Sequence, residues 1–336
     1  MPDPVRASTA RRNLTTLFKI LLGAGLLWLL YEKGILDPAR ILDALLHRPL
    51  WVGLAVLLHG SVFVLLGVRW RYIARSGGLD FTHTVSQKLC FISQFFSTCL
   101  PGNGAGDLVK GVLLSRTGIP FSEVLATMAV DRVAGMAGLF LSWNGCMIAV
   151  AILHPATRII LIPVLPFTIP VAMALVASLL ATAPLSRLAG RLARRAPRAG
   201  LWGRLSRHVD AMLERMSSCT SRSRTILVGL GLSILLQFLF LATALCAARS
   251  LSIPLGLLEA GAVLPLASLA NAIPISPGGL GLGESAASLA MARLGYPTSA
   301  GAELMIVVRM AVLVWALVGG VIYAITPFSP SKDTKA

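Results

Sequence analysis

A glycine-rich break inside apolar sequence, Leu100-Pro-Gly-Asn-Gly-Ala-Gly-Asp107, constrains this chain more than any other stretch, because it occurs twice. Its twin is Pro277-Gly-Gly-Leu-Gly-Leu-Gly-Glu284, and a shift of 177 positions, from Gly104 to Gly281, aligns the two without a gap. Under that shift Gly106 falls on Gly283, Arg116 on Arg293, Gly118 on Gly295, Pro120 on Pro297 and Ser122 on Ser299. Met128 falls on Met305, Val130 on Val307, Arg132 on Arg309 and Ala134 on Ala311, while Asp107 falls on Glu284 and keeps its acid. These ten identities over positions 104–134 compare with about three expected by chance in so biased a composition, which marks an internal repeat. Matching Gly/Pro-interrupted hydrophobic segments in two halves of a chain point to a transporter's binding site.

The 336 residues are 56% hydrophobic and only 13% charged, with a mean hydropathy of +0.79, a balance that soluble domains do not tolerate. Several apolar runs reach the roughly 20 helical residues that cross a bilayer. The chain is therefore read as one all-α polytopic membrane domain over 1–336. A net charge of +16 would suggest nucleic acid in a soluble protein. Here Lys and Arg gather in particular loops, which fits the positive-inside rule and anionic headgroups, so no nucleic-acid partner is expected. Leu14–Tyr31 is long enough to span, and no small-residue cleavage site follows it, which argues against a cleaved signal. Cys90, Cys99, Cys146, Cys219 and Cys246 form no C-x-x-C pair and read as small apolar fillers, so no metal or cofactor is expected.

Arg6, Arg11, Arg12 and Lys19 put the N-terminus in the cytoplasm. Six full spans are expected, at Leu14–Tyr31, Leu50–Val68, Glu123–Ile152, Ile159–Thr182, Thr225–Ala248 and Ala302–Thr326, with Glu32–Pro49 as an external link. The second span should end on Arg69, Arg71 and Arg75 with Trp70 and Tyr72 at the interface, and Pro163, Pro166 and Pro170 should kink the fourth. Thr82–Gly118 and Glu259–Leu294 are apolar but broken. Val85–Cys99 makes a helix of about 22 Å, too short to cross, before the glycines stop it. Asp107–Arg116 then makes a second short helix, giving a re-entrant hairpin. Six spans return the C-terminus, with Lys332 and Lys335, to the cytoplasm, so the halves 50–152 and 225–326 form an inverted repeat. Between them the block 184–224 carries ten arginines against Asp210 and Glu214 and reads as a cytoplasmic linker. Within it Leu201, Leu205, Val209, Met212, Leu213 and Met216 recur at helical spacing opposite Arg204, Arg207 and Arg215. The stretch 185–217 is then either a helix on an anionic lipid surface or a solvated linker.

Irregular backbone survives at membrane depth only where protein or a wet cavity meets its free N–H and C=O groups. The breaks at 100–106 and 277–283 should therefore line a shared interior cavity, unless the glycines only permit tight turns. The helices that follow aim their N-terminal amides at the same place, which favours an anion such as a lipid phosphate. Asp107 and Glu284 suit two roles, as N-caps or as partners of a base that titrate during transport. Arg132 and Arg309, each twenty-five residues after its acid, are costly inside a span. They should face the interior and pair with the acid or grip a phosphate, the plainer option being snorkelling to the interface. Asp131 and Lys110 have no charged counterparts, since Val308 and Ala287 hold those places. Asp131 is expected on another helix face or at the surface, and Lys110 at a headgroup. Asn103, Gln94, Asn271 and Ser276 supply neutral hydrogen bonds, near the cavity or between helices. The expected substrate-binding set is thus Asn103, Gly104, Gly106, Asp107, Lys110, Arg132, Gly279, Gly281, Gly283, Glu284 and Arg309. No H-E-x-x-H, paired-carboxylate or Ser/His/Asp arrangement appears, and no enzymatic activity is expected.

Phe95-Phe96-x3-Leu100-Pro101-Gly102-x-Gly104-x-Gly106-Asp107, followed by Asp131-Arg132, resembles the lysylphosphatidylglycerol synthase transmembrane, or flippase-like, family. Pro274-Ile-Ser-Pro-Gly-Gly-Leu-Gly-x-Gly-Glu284 resembles that family's second signature. The resemblance spans nearly the whole chain and implies a membrane module that moves aminoacylated phospholipid, which in bifunctional members a separate soluble domain makes. This chain is expected to be the stand-alone module, without synthase activity. Its matching positions are Pro101, Gly102, Gly104, Gly106, Asp107, Asp131, Arg132, Pro277, Gly278, Gly279 and Glu284. Stand-alone relatives linked to hopanoid or polyprenyl-phosphate glycolipids leave the cargo open.

The resulting expectation is a lipid translocase of a bacterial inner membrane, moving a phosphate-bearing phospholipid or a polyprenyl- or hopanoid-type lipid. With no nucleotide-binding motif, movement would be passive or driven by an ion or the membrane potential. The alternative is a non-transporting subunit that docks a lipid-modifying enzyme through the basic block. Deleting 185–217 separates them, since only the second reading requires loss of a co-purifying partner.

Overall fold

Runs of Leu, Val, Ala, Ile and Met without charge have one way to satisfy their backbone in lipid, which is helix. The computed structural model describes residues 32, 38–99, 104–153, 155, 158, 162–193, 212–273 and 281–326, and among them no strand occurs. The helices are α1 (Pro38–His47), α2 (Pro49–Ser76), α3 (His83–Cys99), α4 (Ala105–Ser115), α5 (Phe121–Leu153), α6 (Leu165–Ala193), α7 (Ser223–Ser250), α8 (Leu257–Ala272), α9 (Leu282–Arg293) and α10 (Thr298–Ile325). Five stretches are long and apolar enough to cross a membrane: Pro49–Ser76, Phe121–Leu153, Ile162–Thr182, Ser223–Ser250 and Thr298–Ile325. The expected first span, Leu14–Tyr31, lies outside the described residues, as do Asn103, Ser276 and Gly279.

The four intervening helices have 17, 11, 16 and 12 residues. At 1.5 Å per residue they reach about 25, 17, 24 and 18 Å, each short of the roughly 30 Å hydrocarbon core. Helices α4 and α9 begin at 105 and 282, and α5 and α10 at 121 and 298, so both starts keep the 177-residue offset of the sequence. Packing follows the same plan. Helix α2 lies along its counterpart α7, α3 leans on α10, and α8 leans on α5. Each broken pair is thus held by the long helix of the opposite half. One apolar core gathers Trp70, Leu89, Ile92, Leu114 and Val124 from α2–α5. Another gathers Leu241, Leu264, Met291 and Leu304 from α7–α10.

Two equivalent glycines set how closely the arms of each broken pair approach. A Cβ on Gly106 would lie 1.9 Å from the Ser93 carbonyl oxygen, and one on Gly283 would lie 2.1 Å from Asn271 Oδ1. A larger residue at Gly106 would force the arms apart, whereas one at Gly283 would displace the Asn271 side chain.

Helix α1 forms within the link Glu32–Pro49 and buries Ala44 against the second-half core. Three features depart from the sequence reading. Helix α6 continues to Ala193, well into the basic block, running through Pro184 and Gly190 with Leu, Ala and Arg, strong helix formers, around them. Pro163 falls in the 3-10 turn Ile162–Val164 and Pro166 in the first turn of α6, where a missing N–H costs nothing. Of the block 184–224, residues 194–211 lie outside the described residues, and 212–220 are helical. Arg215, expected on a solvated face, instead contacts Glu123 and the Gly77 carbonyl, and Ser76 Oγ donates to the Cys219 carbonyl at 3.0 Å. The end of the linker is therefore docked on the first half.

Candidate functional site

Three guanidinium–carboxylate pairs sit between the long helices. The most enclosed was not expected. Arg69, read as the interfacial end of the second span, is 5% exposed and reaches across to Asp131 of α5, 6% exposed. Nε donates to Oδ1 at 2.8 Å and Nη2 to Oδ2 at 3.1 Å, a two-pronged grip, while Nη1 donates to Ser233 Oγ of α7 at 2.9 Å. Three helices are thereby tied at one point. Trp70 is likewise no interfacial aromatic. It is fully buried, donates from Nε1 to Thr127 Oγ1 at 3.3 Å, and carries the Lys110 ammonium 3.6 Å from a ring centroid. Lys110 is 3% exposed, so its expected place at a headgroup is corrected to an enclosed cation on an aromatic face. The long stem of Lys110 is covered by apolar core, and the Trp70 ring supplies the ammonium with a negative face that a lipid phosphate was expected to supply.

The other two pairs occupy equivalent places in the repeat. Arg132 Nε donates to Asp107 Oδ2 at 2.7 Å, and its Nη2 meets the same oxygen. Arg309 Nε donates to Glu284 Oε1 at 2.9 Å, with Nη2 at 2.8 Å from that oxygen. Both arginines therefore pair with their acids rather than snorkelling away from them. The surroundings differ. The Arg132 and Asp107 side chains are 59% and 22% exposed, whereas those of Arg309 and Glu284 are 21% and 0%. Glu284 also accepts the Gly281 N–H at 2.8 Å and so caps α9, aided by a φ of +84° that Gly281 tolerates. Asp107 makes no such cap. Among the described residues its second oxygen meets only the Ser93 hydroxyl, at 3.5 Å.

Arg132 and Arg309 open onto neighbouring cavities. One, about 270 Å³, is lined by Arg69, Arg132, Gln237, Ser268, Phe240 and apolar side chains of α2, α5 and α7. The other, about 250 Å³, is lined by Arg309, Asn271, Ser268, Phe240, Met305, Val308 and Val312. Phe240 and Ser268 wall both, so the two meet between the halves. Of the expected set, Arg132 and Arg309 line this space, with Asp107 and Glu284 behind them. Asn271 joins them, its Oδ1 lying 3.5 Å from Arg309 Nη2. Gly106 and Gly283 serve helix approach, and Gly104 is exposed at the start of α4. Gln94 bonds within its own helix, to Thr98 Oγ1 at 3.3 Å.

Gln237, Ser268, Phe240 and Arg69 were missed as lining residues. One signal was present. Arg69 and Asp131 both lose their charge at the equivalent positions, Cys246 and Val308, and Lys110 and Trp70 both become alanine, at Ala287 and Ala247. In these two cases the residues that depart from the repeat together are in contact.

Residues 16–320 match the family described as the lysylphosphatidylglycerol synthase TM region. No curated protein and no solved structure matches the chain. With nearly its whole length covered, the chain is an integral membrane protein that belongs to the lysylphosphatidylglycerol synthase transmembrane family.

Proposed function

We propose that this protein is a lipid translocase that shelters a phosphate-bearing headgroup between its two halves while the acyl chains stay in the bilayer. The observation that carries the reading is the meeting of two cavities walled by Arg132 and Arg309, equivalent residues of a repeat. A guanidinium at the wall of a largely apolar cavity is suited to phosphate, which its planar fork grips with two bonds. The repeat itself supports alternating access. We read 50–152 and 225–326 as inverted halves whose short helix pairs enter the membrane and turn back, with both termini in the cytoplasm of a bacterial inner membrane. Two such halves exchange roles to open either face. The reading assigns the protein no bond-making step.

The test is headgroup movement between leaflets of reconstituted vesicles, followed with a fluorescent phosphatidylglycerol. Wild-type protein is expected to accelerate exchange over protein-free vesicles, and Arg132→Ala to cut it sharply. Unchanged exchange in a well-folded Arg132→Ala variant would remove that arginine from the mechanism.

A further inference from the structure

The two arginines of the site are not equally available. Arg309 gives Nε and Nη2 to Glu284, has Asn271 beside it, and its carboxylate is wholly buried and doubles as the cap of α9. Arg69, which also walls the space, has all three nitrogens engaged by Asp131 and Ser233. Arg132 alone combines exposure with spare capacity. Both of its contacts go to one oxygen of Asp107, and Nη1 meets no hydrogen-bond partner among the described residues.

Across the cavity from Arg132 stand two neutral side chains of the other half. Ser268 donates its hydroxyl to the Leu264 carbonyl at 3.1 Å and keeps its oxygen lone pairs for an incoming donor. Gln237 of α7 meets no hydrogen-bond partner among the described residues and stands within the apolar run Ile234–Leu241. A carboxamide inside a membrane span is costly unless something satisfies it. The charges facing this space, on Arg69, Arg132 and Arg309, are each matched by one carboxylate, so the site before loading carries no surplus that would favour a dianion. A dianion loses more hydration than a monoanion on entering a site with no net charge, so the one spare guanidinium edge suits a single negative charge held by hydrogen bonds.

Resting on the translocase reading, we infer that Arg132 is the seat for a singly charged phosphodiester and that Gln237, with Ser268, reads the uncharged hydroxyl end of its headgroup. Arg309 with Glu284 is then a brace that holds the second half together and does not exchange partners.

Binding to the purified full-length protein in detergent, measured by calorimetry, tests this with four short-chain probes. These are dihexanoyl phosphatidylglycerol, dihexanoyl phosphatidylmethanol, which keeps the diester but lacks hydroxyls, dihexanoyl phosphatidic acid, and inorganic phosphate. Phosphatidylglycerol is expected to bind at least 10-fold more tightly than phosphatidic acid or inorganic phosphate. Arg132→Gln should weaken both diesters 10-fold or more, in line with about 1.5–3 kcal/mol for a hydrogen bond to a charged group. Gln237→Leu, close in volume, should weaken phosphatidylglycerol about 3- to 10-fold and leave phosphatidylmethanol unchanged. Arg309→Gln should change either affinity less than 3-fold while lowering the thermal midpoint. If Arg132→Gln does not fold, Arg132→Lys, which keeps the charge and loses the fork, should give an intermediate loss. Equal losses from Arg132→Gln and Arg309→Gln would overturn the inference, as would equal effects of Gln237→Leu on the two diesters. Inorganic phosphate binding as tightly as phosphatidylglycerol would also overturn it. Because binding is read without transport, tight and selective binding with no leaflet exchange would support the seat and sink the translocase, while exchange with unselective binding would do the reverse.

Discussion

The two halves of the repeat share a scaffold and differ in where they keep their charge. The first half encloses Arg69 with Asp131 and Lys110 with Trp70, where the second half has Cys246, Val308, Ala287 and Ala247. At the pair both halves retain, the order reverses. Arg132 and Asp107 are loosely held at an open cavity, whereas Arg309 and Glu284 are enclosed and tied to a helix cap. The difference teaches that a duplicated site need not be used twice. The second half closes over its pair and fills the rest with apolar contacts, while the first half needs buried ion and cation–π contacts to hold α2, α4 and α5 around a pair left free to act.

That contrast is broken most severely at Arg69. Removing one partner of a buried pair leaves an uncompensated charge, so Asp131→Asn or Arg69→Cys alone should lower unfolding stability in detergent by about 3–5 kcal/mol. Installing the second half's residues together, Arg69→Cys with Asp131→Val, should recover most of the loss, since apolar replacement of a buried pair is often neutral. A double variant as unstable as the singles would show that the pair has a role beyond charge compensation. A smaller effect separates the retained pairs. Glu284→Gln should cost about 2–3 kcal/mol, because it strips a buried guanidinium of its counter-ion and weakens a cap. Asp107→Asn should cost under about 1 kcal/mol, because the Arg132 side chain is 59% exposed. Comparable losses in chemical denaturation would remove the distinction between brace and seat. The smallest effect belongs to the docked linker. Glu123→Gln should lower stability by under about 1 kcal/mol, since that pair with Arg215 is partly exposed, and should raise proteolysis within 194–220. Proteolysis unchanged from wild type would mean that the Gly77 and Cys219 contacts suffice to dock it.

Much of this was legible because the repeat is written in residue types with few substitutes. Clustered glycine and proline mark breaks, and the equal spacing of Asp107 to Arg132 and of Glu284 to Arg309 makes acid–base pairing one of the options that the sequence offers, beside a phosphate grip or snorkelling. What stayed hidden depends on rotation about a helix axis. Arg69 closes a span together with Arg71 and Arg75, and sequence alone makes the three one interfacial group. The structure turns Arg69 onto Asp131 while Arg75 remains at the surface, 64% exposed. Gln237 was invisible for the same reason, since a single polar residue in an apolar run says nothing about the face it is on. The apolar stretch of the fourth span ends at Thr182, as its composition implies, but α6 continues to Ala193 through Pro184, a residue whose missing N–H argues for a stop.

The account stands on the break after Cys99 meeting water at membrane depth. Cys99 is exposed, while Cys90, Cys146, Cys219 and Cys246 are buried, and burial pushes the Cys219 thiol up to about 11. Protein reconstituted in bilayers is therefore treated near pH 7 with a membrane-impermeant maleimide and read by peptide mass spectrometry. A fluorophore at the same cysteine, quenched by lipids brominated at known depths, reports its depth. The account expects a single adduct, on Cys99, at a depth well inside the hydrocarbon. An unreactive Cys99, or one that reacts but lies at the headgroups, would contradict it.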